Sequence, residues 1–100
     1  MVRHIILWKL KSNFSPEEKQ KKALEIKTGL EGLKGKIPGL TEIEVIITPL
    51  ESSNADVMLL SSFTDKESLK GYQAHPEHLA VANHIVRPAT ESRSCMDYLE

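Results

Sequence analysis

The segment VRHIILWKLK, from Val2 to Lys11, decides the fold because it places apolar side chains on both of its faces. Successive side chains of a strand point to opposite sides of the sheet. The even positions form one face of this segment: Val2, His4, Ile6, Trp8 and Leu10. Ile5 and Leu7 lie on the other face, between Arg3 and Lys9. A strand that is apolar on both sides must be covered on both sides, so the segment predicts a central strand.

A helix is predicted to follow at SPEE. Ser15 is its N-cap, Pro16 its first residue and Glu18 the third residue of a capping box. Apolar residues then recur at three- and four-residue steps and predict one buried stripe: Ala23, Ile26, Leu30, Leu33 and Ile37. Glycines weaken the second half of this helix, and Pro38-Gly39 is predicted to end it.

Three further strands are predicted, at about residues 40–48, 55–63 and 91–99. The first and last of these are half polar, whereas the middle one contains the apolar run VMLL. Between the last two strands lies a divided helical region.

A second capping box, formed by Thr64 and Glu67, is predicted to begin that helical region. Pro76 should interrupt it, since the residue before a proline is displaced from helical geometry. PEHLAVANHIV then predicts a second helical piece that ends at Arg87-Pro88.

The resulting order, βαββαβ, predicts an α+β fold of the ferredoxin-like type. The strands that are apolar on both faces should be central, which gives the antiparallel sheet order 4-1-3-2, and right-handed crossovers place both helices on one face. The other apolar face would remain in water at a cost of ~25 cal/mol per Å². We therefore expect a homodimer that packs through the open sheet faces to form a dimeric α/β barrel.

The bulk properties exclude several classes of function. A chain of 100 residues with a net charge of −1 predicts a single domain, 1–100, without the basic surface of a nucleic-acid-binding protein. No apolar run approaches the ~18 residues that a membrane span requires. The single cysteine, Cys95, cannot form an internal disulfide and is expected to be a small buried hydrophobe. With no secretory signal, the expected localisation is cytoplasmic.

Several segments together resemble the stress-responsive α/β-barrel (Dabb) domain family: VRHIILWKLK, SPEE, KIPGL, SFTDKESLKGYQAHPEH and the closing MDY. The resemblance covers essentially the whole chain, and its most specific part is YQAHPEH, at 72–78, together with His4. It implies the dimeric ferredoxin-like barrel. The functions that it implies are scattered, from plant stress proteins to a polyketide cyclase that closes a ring by aldol condensation without a cofactor.

The cyclase branch of that family has a Y-x-x-H-P-x-H pattern that matches Tyr72 and His78 here. Its strand histidine matches His4, and an aspartate before the last tyrosine matches Asp97. That branch lines its pocket with aromatic residues of the first helix. This chain has none in the corresponding stretch, which contains Lys22, Ala23 and Ile26, and this departure argues against the same substrate.

Aldol or isomerisation chemistry needs a base for a carbon-bound proton and a donor for the developing enolate oxygen. A histidine with its ordinary pKa near 6.5 is a suitable base, and a phenol is an uncharged donor. The predicted catalytic residues are therefore Tyr72 and His78. We expect Asp97 to orient His78 by accepting its second N–H. The predicted substrate contacts are His4, His75, Asp97, Ile6 and Trp8.

Structural roles remain open alternatives for the same residues: Tyr72 as a core plug, His75 as a turn residue and His4 as a core histidine. His75 and His78, with His4 and Asp97, also suggest a metal site. Pro76 separates the first two and no zinc motif supports them, so no metal site is predicted. No phosphate loop or dinucleotide fingerprint is present, and no cofactor is predicted.

Two functions follow from the sequence. The first is binding of a small, partly apolar carbonyl compound between sheet and helices, with cofactor-free proton transfer or cyclisation. The second is a non-enzymatic stress or stability protein, whose role is the dimeric barrel itself and whose interior should be filled.

Overall fold

The computed structural model describes residues 1–100 and contains one four-stranded antiparallel sheet. Its strands are β1 (Val2–Leu10), β2 (Leu40–Ile46), β3 (Val57–Phe63) and β4 (Thr90–Leu99). They are ordered β2-β3-β1-β4, which is the predicted order 4-1-3-2 taken from the other edge. The ferredoxin-like α+β prediction is confirmed, and β1 is central as its two apolar faces required.

Four helices and one π-helical turn connect these strands. They are α1 (Pro16–Glu31), α2 (Lys66–Ala74), α3 (Pro76–Val81), the π-helical turn (Ala82–Val86) and the short α4 (Arg87–Ala89). No helix is both long enough and apolar enough to cross a bilayer.

The predicted end of the first helix is wrong, because α1 ends at Glu31 and not at Pro38. Gly32 caps it, and Gly35 then adopts a φ of 84° that a helix does not contain. Leu33 and Ile37 nevertheless remain buried, in the turns that follow α1. The apolar stripe therefore identified buried residues beyond the helix itself.

Two further helix boundaries differ from the prediction. The Ser15–Glu18 capping box is present, but the N-cap of α2 is Asp65 and not Thr64. The Asp65 carboxylate accepts the Ser68 N–H at 2.8 Å, while the Thr64 hydroxyl pairs with the Ser68 hydroxyl. Arg87-Pro88 does not end the last helical segment. It begins α4, where Pro88 lies in the first turn and its missing N–H is tolerated.

The helices cover only part of one sheet face. The even residues of β1 are buried there, whereas Leu7, on the opposite face, is 39% exposed. α1 packs on β2, and α2 packs on β1, β2 and β3, whereas no helix packs closely on edge strand β4. Cys95 is consequently exposed, and its predicted burial is wrong.

Gly39 allows the start of β2 to lie directly against α2. Its φ is 81°, its carbonyl accepts the Thr64 N–H at 3.0 Å, and a Cβ on it would overlap the Ser68 side chain. Ser68 is in the first turn of the helix that carries Tyr72. The conformation and the absence of a side chain at Gly39 therefore both help to position the candidate site.

Gly39→Ala should lower the free energy of unfolding by about 2–4 kcal/mol, from a strained backbone and a clash with Ser68 together. Gly35→Ala is the matched control, because Gly35 also has a positive φ but no atom lies within 4 Å of the position that its Cβ would occupy. Gly35→Ala should lower the free energy of unfolding by only about 1 kcal/mol. Urea denaturation measures both, and equal losses would contradict a packing role for Gly39.

Candidate functional site

A cavity of about 610 Å³ lies between the helices and the β1–β4 side of the sheet. Its volume is in the range of small-molecule sites, ~300–1,000 Å³. His4, Ile6 and Trp8 of β1 form its floor. Apolar residues from the remaining elements complete the walls: Leu30, Leu59, Leu79, Ala82 and Val86. Ile6 and Trp8, both predicted as substrate contacts, therefore line this cavity.

The break between α2 and α3 brings Tyr72 and His78 together. His75 has the extended conformation expected before proline, with φ −68° and ψ 133°, and α3 restarts at Pro76. Tyr72, three residues after buried Leu69, points inward from α2, and His78 follows in the first turn of α3. The two ring centroids are 4.2 Å apart. Both rings line the cavity.

One polar atom of each residue in this pair has no hydrogen-bond partner. The Tyr72 hydroxyl and His78 Nδ1 are both buried, and neither forms a hydrogen bond within the chain. Most buried polar groups are paired, since an unpaired one costs ~1–3 kcal/mol. Both residues line the cavity, so each brings to it one buried polar atom that a polar ligand group would satisfy.

Burial sets the protonation states of both groups. It raises the pKa of the Tyr72 phenol well above its ordinary value, and the nearby charge of Arg93 only partly opposes this. Burial also lowers the pKa of His78, and the neighbouring His4, Arg87 and Arg93 act in the same direction, whereas a hydrogen bond to the Gln73 backbone opposes them. At neutral pH the phenol is therefore a donor, and the imidazole is neutral and able to accept a proton.

His4 is held from the neighbouring strand by Asp97. It is only 2% exposed, and its Nδ1 forms a hydrogen bond with Asp97 Oδ1 across the β1–β4 register. The prediction that Asp97 orients His78 is wrong, because its carboxylate is directed at His4. Asp97 does not line the cavity itself, and its link to the cavity floor is its hydrogen bond with His4.

His75 is not brought to the cavity. Its Nδ1 accepts the Glu77 N–H at 3.1 Å, and the residue borders a separate depression with Ile37 and Asp65. The structure therefore does not support the predicted substrate contact of His75. Its ring instead caps α3, at the interruption between α2 and α3 that positions His78.

Two arginines at the cavity rim were missed by sequence reasoning. Arg93 lies on the same side of β4 as Asp97, opposite Trp8 in the sheet register, so strand alternation contained a signal for it. Arg87 also lines the cavity, but the π-helical turn before it sets its direction, and no sequence pattern predicted that turn. Neither arginine forms an ion pair.

Comparison with solved structures confirms the fold. A dimeric protein of unknown function with a ferredoxin-like fold from Bacteroides fragilis is 35% identical, with a TM-score of 0.90 over 99% of this chain and 95% of that one. A dimeric ferredoxin-like protein from Thermobifida fusca is 23% identical, with a TM-score of 0.80 over 99% and 90%. Hydroxynitrile lyase from Passiflora edulis, at 18% identity and a TM-score of 0.73 over 99% and 92%, shares the fold.

Sequence comparison gives the family directly. No curated protein shows significant similarity to the chain. The family model of the stress-responsive A/B barrel domain, however, matches residues 2–100, which include every strand and helix described above. The chain therefore belongs to the stress-responsive A/B barrel domain (Dabb) family.

Proposed function

We propose that this chain binds a small, partly apolar carbonyl compound in the cavity and catalyses a cofactor-free proton transfer or cyclisation on it. The observation that carries the proposal is that two residues lining one cavity each have a buried polar atom without a partner, Tyr72 Oη and His78 Nδ1. A carbonyl oxygen that accepts from Tyr72 would leave the adjacent carbon near His78.

In this proposal each residue has a separate task. His78 is the base and removes a proton from the carbon next to the carbonyl group. Tyr72 donates a hydrogen bond to the oxygen, on which negative charge develops as the enolate forms. His4, held by Asp97, is a positioning residue on the floor, and Ile6 and Trp8 provide apolar surface for the rest of the compound.

The rim suggests a carboxylate on the same compound. Arg87 and Arg93 line the cavity without an ion-pair partner, whereas the nearby Glu91 carboxylate already accepts the Ser12 N–H at 2.6 Å. Guanidinium groups bind carboxylates through paired, charge-assisted hydrogen bonds. The proposed substrate class is therefore a carbonyl compound with an apolar body and an acidic group.

The alternative of a stability protein without turnover receives less support. That alternative predicts a filled interior, and the space beside Tyr72 is an open cavity. Unpaired buried polar atoms also lower stability, which is a poor design for a protein whose role is stability alone.

The proposal includes a homodimer. The sheet face away from the helices carries apolar side chains that nothing in the chain covers: Ile5, Leu7, Ile46, Met58, Leu60, Met96 and Tyr98. Exposed apolar faces of this kind are typical of interfaces. The dimeric state of the Bacteroides fragilis protein supports a second copy as the occupant.

Tyr72→Phe should weaken ligand binding about tenfold while it keeps or raises the melting temperature, because it removes both a donor and an unpaired buried hydroxyl. Trp8, the only tryptophan, lines the cavity and reports binding by its fluorescence. The probes are apolar 3-oxo carboxylic acids and their methyl esters, and the acids should bind more tightly because of the rim arginines. His84→Gln, at an exposed histidine, is the control and should leave ligand binding and the melting temperature unchanged. Equal binding of all probes by wild type and Tyr72→Phe would contradict the proposal.

The lowered pKa of His78 predicts a loss of stability in mild acid. As the pH falls below about 6.5, the unfolded chain binds a proton at this histidine more readily than the folded chain, so the free energy of unfolding decreases. His78→Gln should make the melting temperature less sensitive to pH between about 5 and 7. An unchanged pH dependence, measured against His84→Gln, would show that His78 is not buried in its neutral form.

Leu7→Glu should convert the dimer to a monomer, because it places a charge on the open sheet face next to β3. Leu24→Glu is the matched control, since Leu24 is exposed on α1 and lies outside that face. Sedimentation velocity at micromolar concentration measures both. A monomeric wild type, or a Leu7→Glu variant that remains dimeric, would exclude this interface.

A further inference from the structure

We propose that His4, Cys95 and Asp97 form a binding site for Zn²⁺ or a similar borderline divalent metal ion. The site lies on the helix-facing side of the β1–β4 pair. It goes beyond the proposed function, because neither Tyr72 nor His78 is a ligand and the proton transfer described above requires no metal.

The sheet register holds the three ligands on one side of two paired strands. His4 is directly opposite Asp97, and Ile6 is opposite Cys95. Cys95 and Asp97 are two residues apart on β4, so their side chains point to the same side as that of His4. One ligand atom from each residue lies within 4.8 Å of the others. The backbone hydrogen bonds of the sheet therefore fix this cluster before any ion binds.

The spacing of the donor atoms is close to that of a tetrahedral site. Cys95 Sγ is 3.9 Å from His4 Nδ1 and 3.5 Å from Asp97 Oδ1. Ligand atoms around tetrahedral zinc are roughly 3.3–3.6 Å apart, given metal–ligand distances of ~2.0–2.3 Å. Only the hydrogen-bonded pair of His4 and Asp97 would have to separate. The Asp97 side chain is 38% exposed and has room for this movement.

The donor chemistry selects the class of metal ion. A nitrogen, a thiolate and a carboxylate oxygen suit Zn²⁺ or Co²⁺, whereas Mg²⁺ and Ca²⁺ prefer oxygen ligands alone. The Cys95 thiol releases its proton to solvent when it binds the ion. Thiolate and carboxylate together then balance the two positive charges.

The surroundings leave one coordination position open. His4 is buried, but Cys95 and Asp97 lie on the edge strand that no helix covers, so water reaches the cluster. Three protein ligands and one water molecule form an open zinc site. Arg93, on the same side of β4, is a nearby positive charge that weakens cation binding, and we therefore expect micromolar affinity.

Cobalt titration of the purified chain tests the site. Co²⁺ should bind one ion per chain with a near-ultraviolet thiolate-to-cobalt absorption band and strong visible bands of tetrahedral coordination, and Zn²⁺ should displace it. Cys95→Ser should abolish the thiolate band, and Asp97→Asn should lower the affinity at least about tenfold. Both positions are exposed, so these variants are expected to fold.

Two control variants test whether the ion binds at this cluster and independently of the carbonyl site. Glu91→Gln changes an exposed carboxylate on β4 outside the cluster and should leave cobalt binding intact. Tyr72→Phe should also retain the spectrum, so failure of the carbonyl proposal and failure of the metal proposal are distinguishable. Absence of the thiolate band in wild type, or equal affinity in wild type, Cys95→Ser and Asp97→Asn, would overturn the proposal.

Discussion

The two apolar faces of β1 are the constraint on which the rest of the structure depends. β1 pairs with β3 on one side and β4 on the other, so its side chains alternate between the helical layer and the open face. The alternation that buries Ile6 and Trp8 under the helices also makes them the floor of the cavity. The same alternation leaves Leu7 on the face proposed for the dimer. A shift of one residue in this register would exchange the two surfaces and remove both features.

The second constraint is the interruption of the helix between α2 and α3 at Pro76, which stability alone does not explain. An uninterrupted helix would carry Tyr72 and His78 six residues apart, away from a common face. The extended conformation of His75 redirects the chain and allows the two rings to approach. The resulting pair leaves two buried polar atoms without protein partners, and such a cost is typical of sites that bind a ligand. This local architecture is the basis of the proposed chemistry.

Sequence patterns predicted the features that depend on local periodicity. Two-sided apolarity identified the central strands, the Ser15 capping box identified the start of α1, and Pro76 predicted the meeting of Tyr72 and His78. Features that depend on the lateral extent of the helical layer were not predictable. Cys95 is exposed because that layer ends before β4, and Asp97 reaches His4 because the two are paired across strands. Adjacent cap candidates, Thr64 and Asp65, differ only in backbone conformation, which the sequence does not specify.

Tyr72 and His78 are proposed to move a proton together at a carbon next to a carbonyl group. The most direct measurement is deuterium incorporation at that carbon in D₂O, followed by proton NMR with an acid that binds the cavity. Wild type should accelerate the exchange well above the buffer rate, and His78→Gln should return it to that rate. Exchange at the buffer rate in wild type, with the compound bound, would contradict this role of Tyr72 and His78.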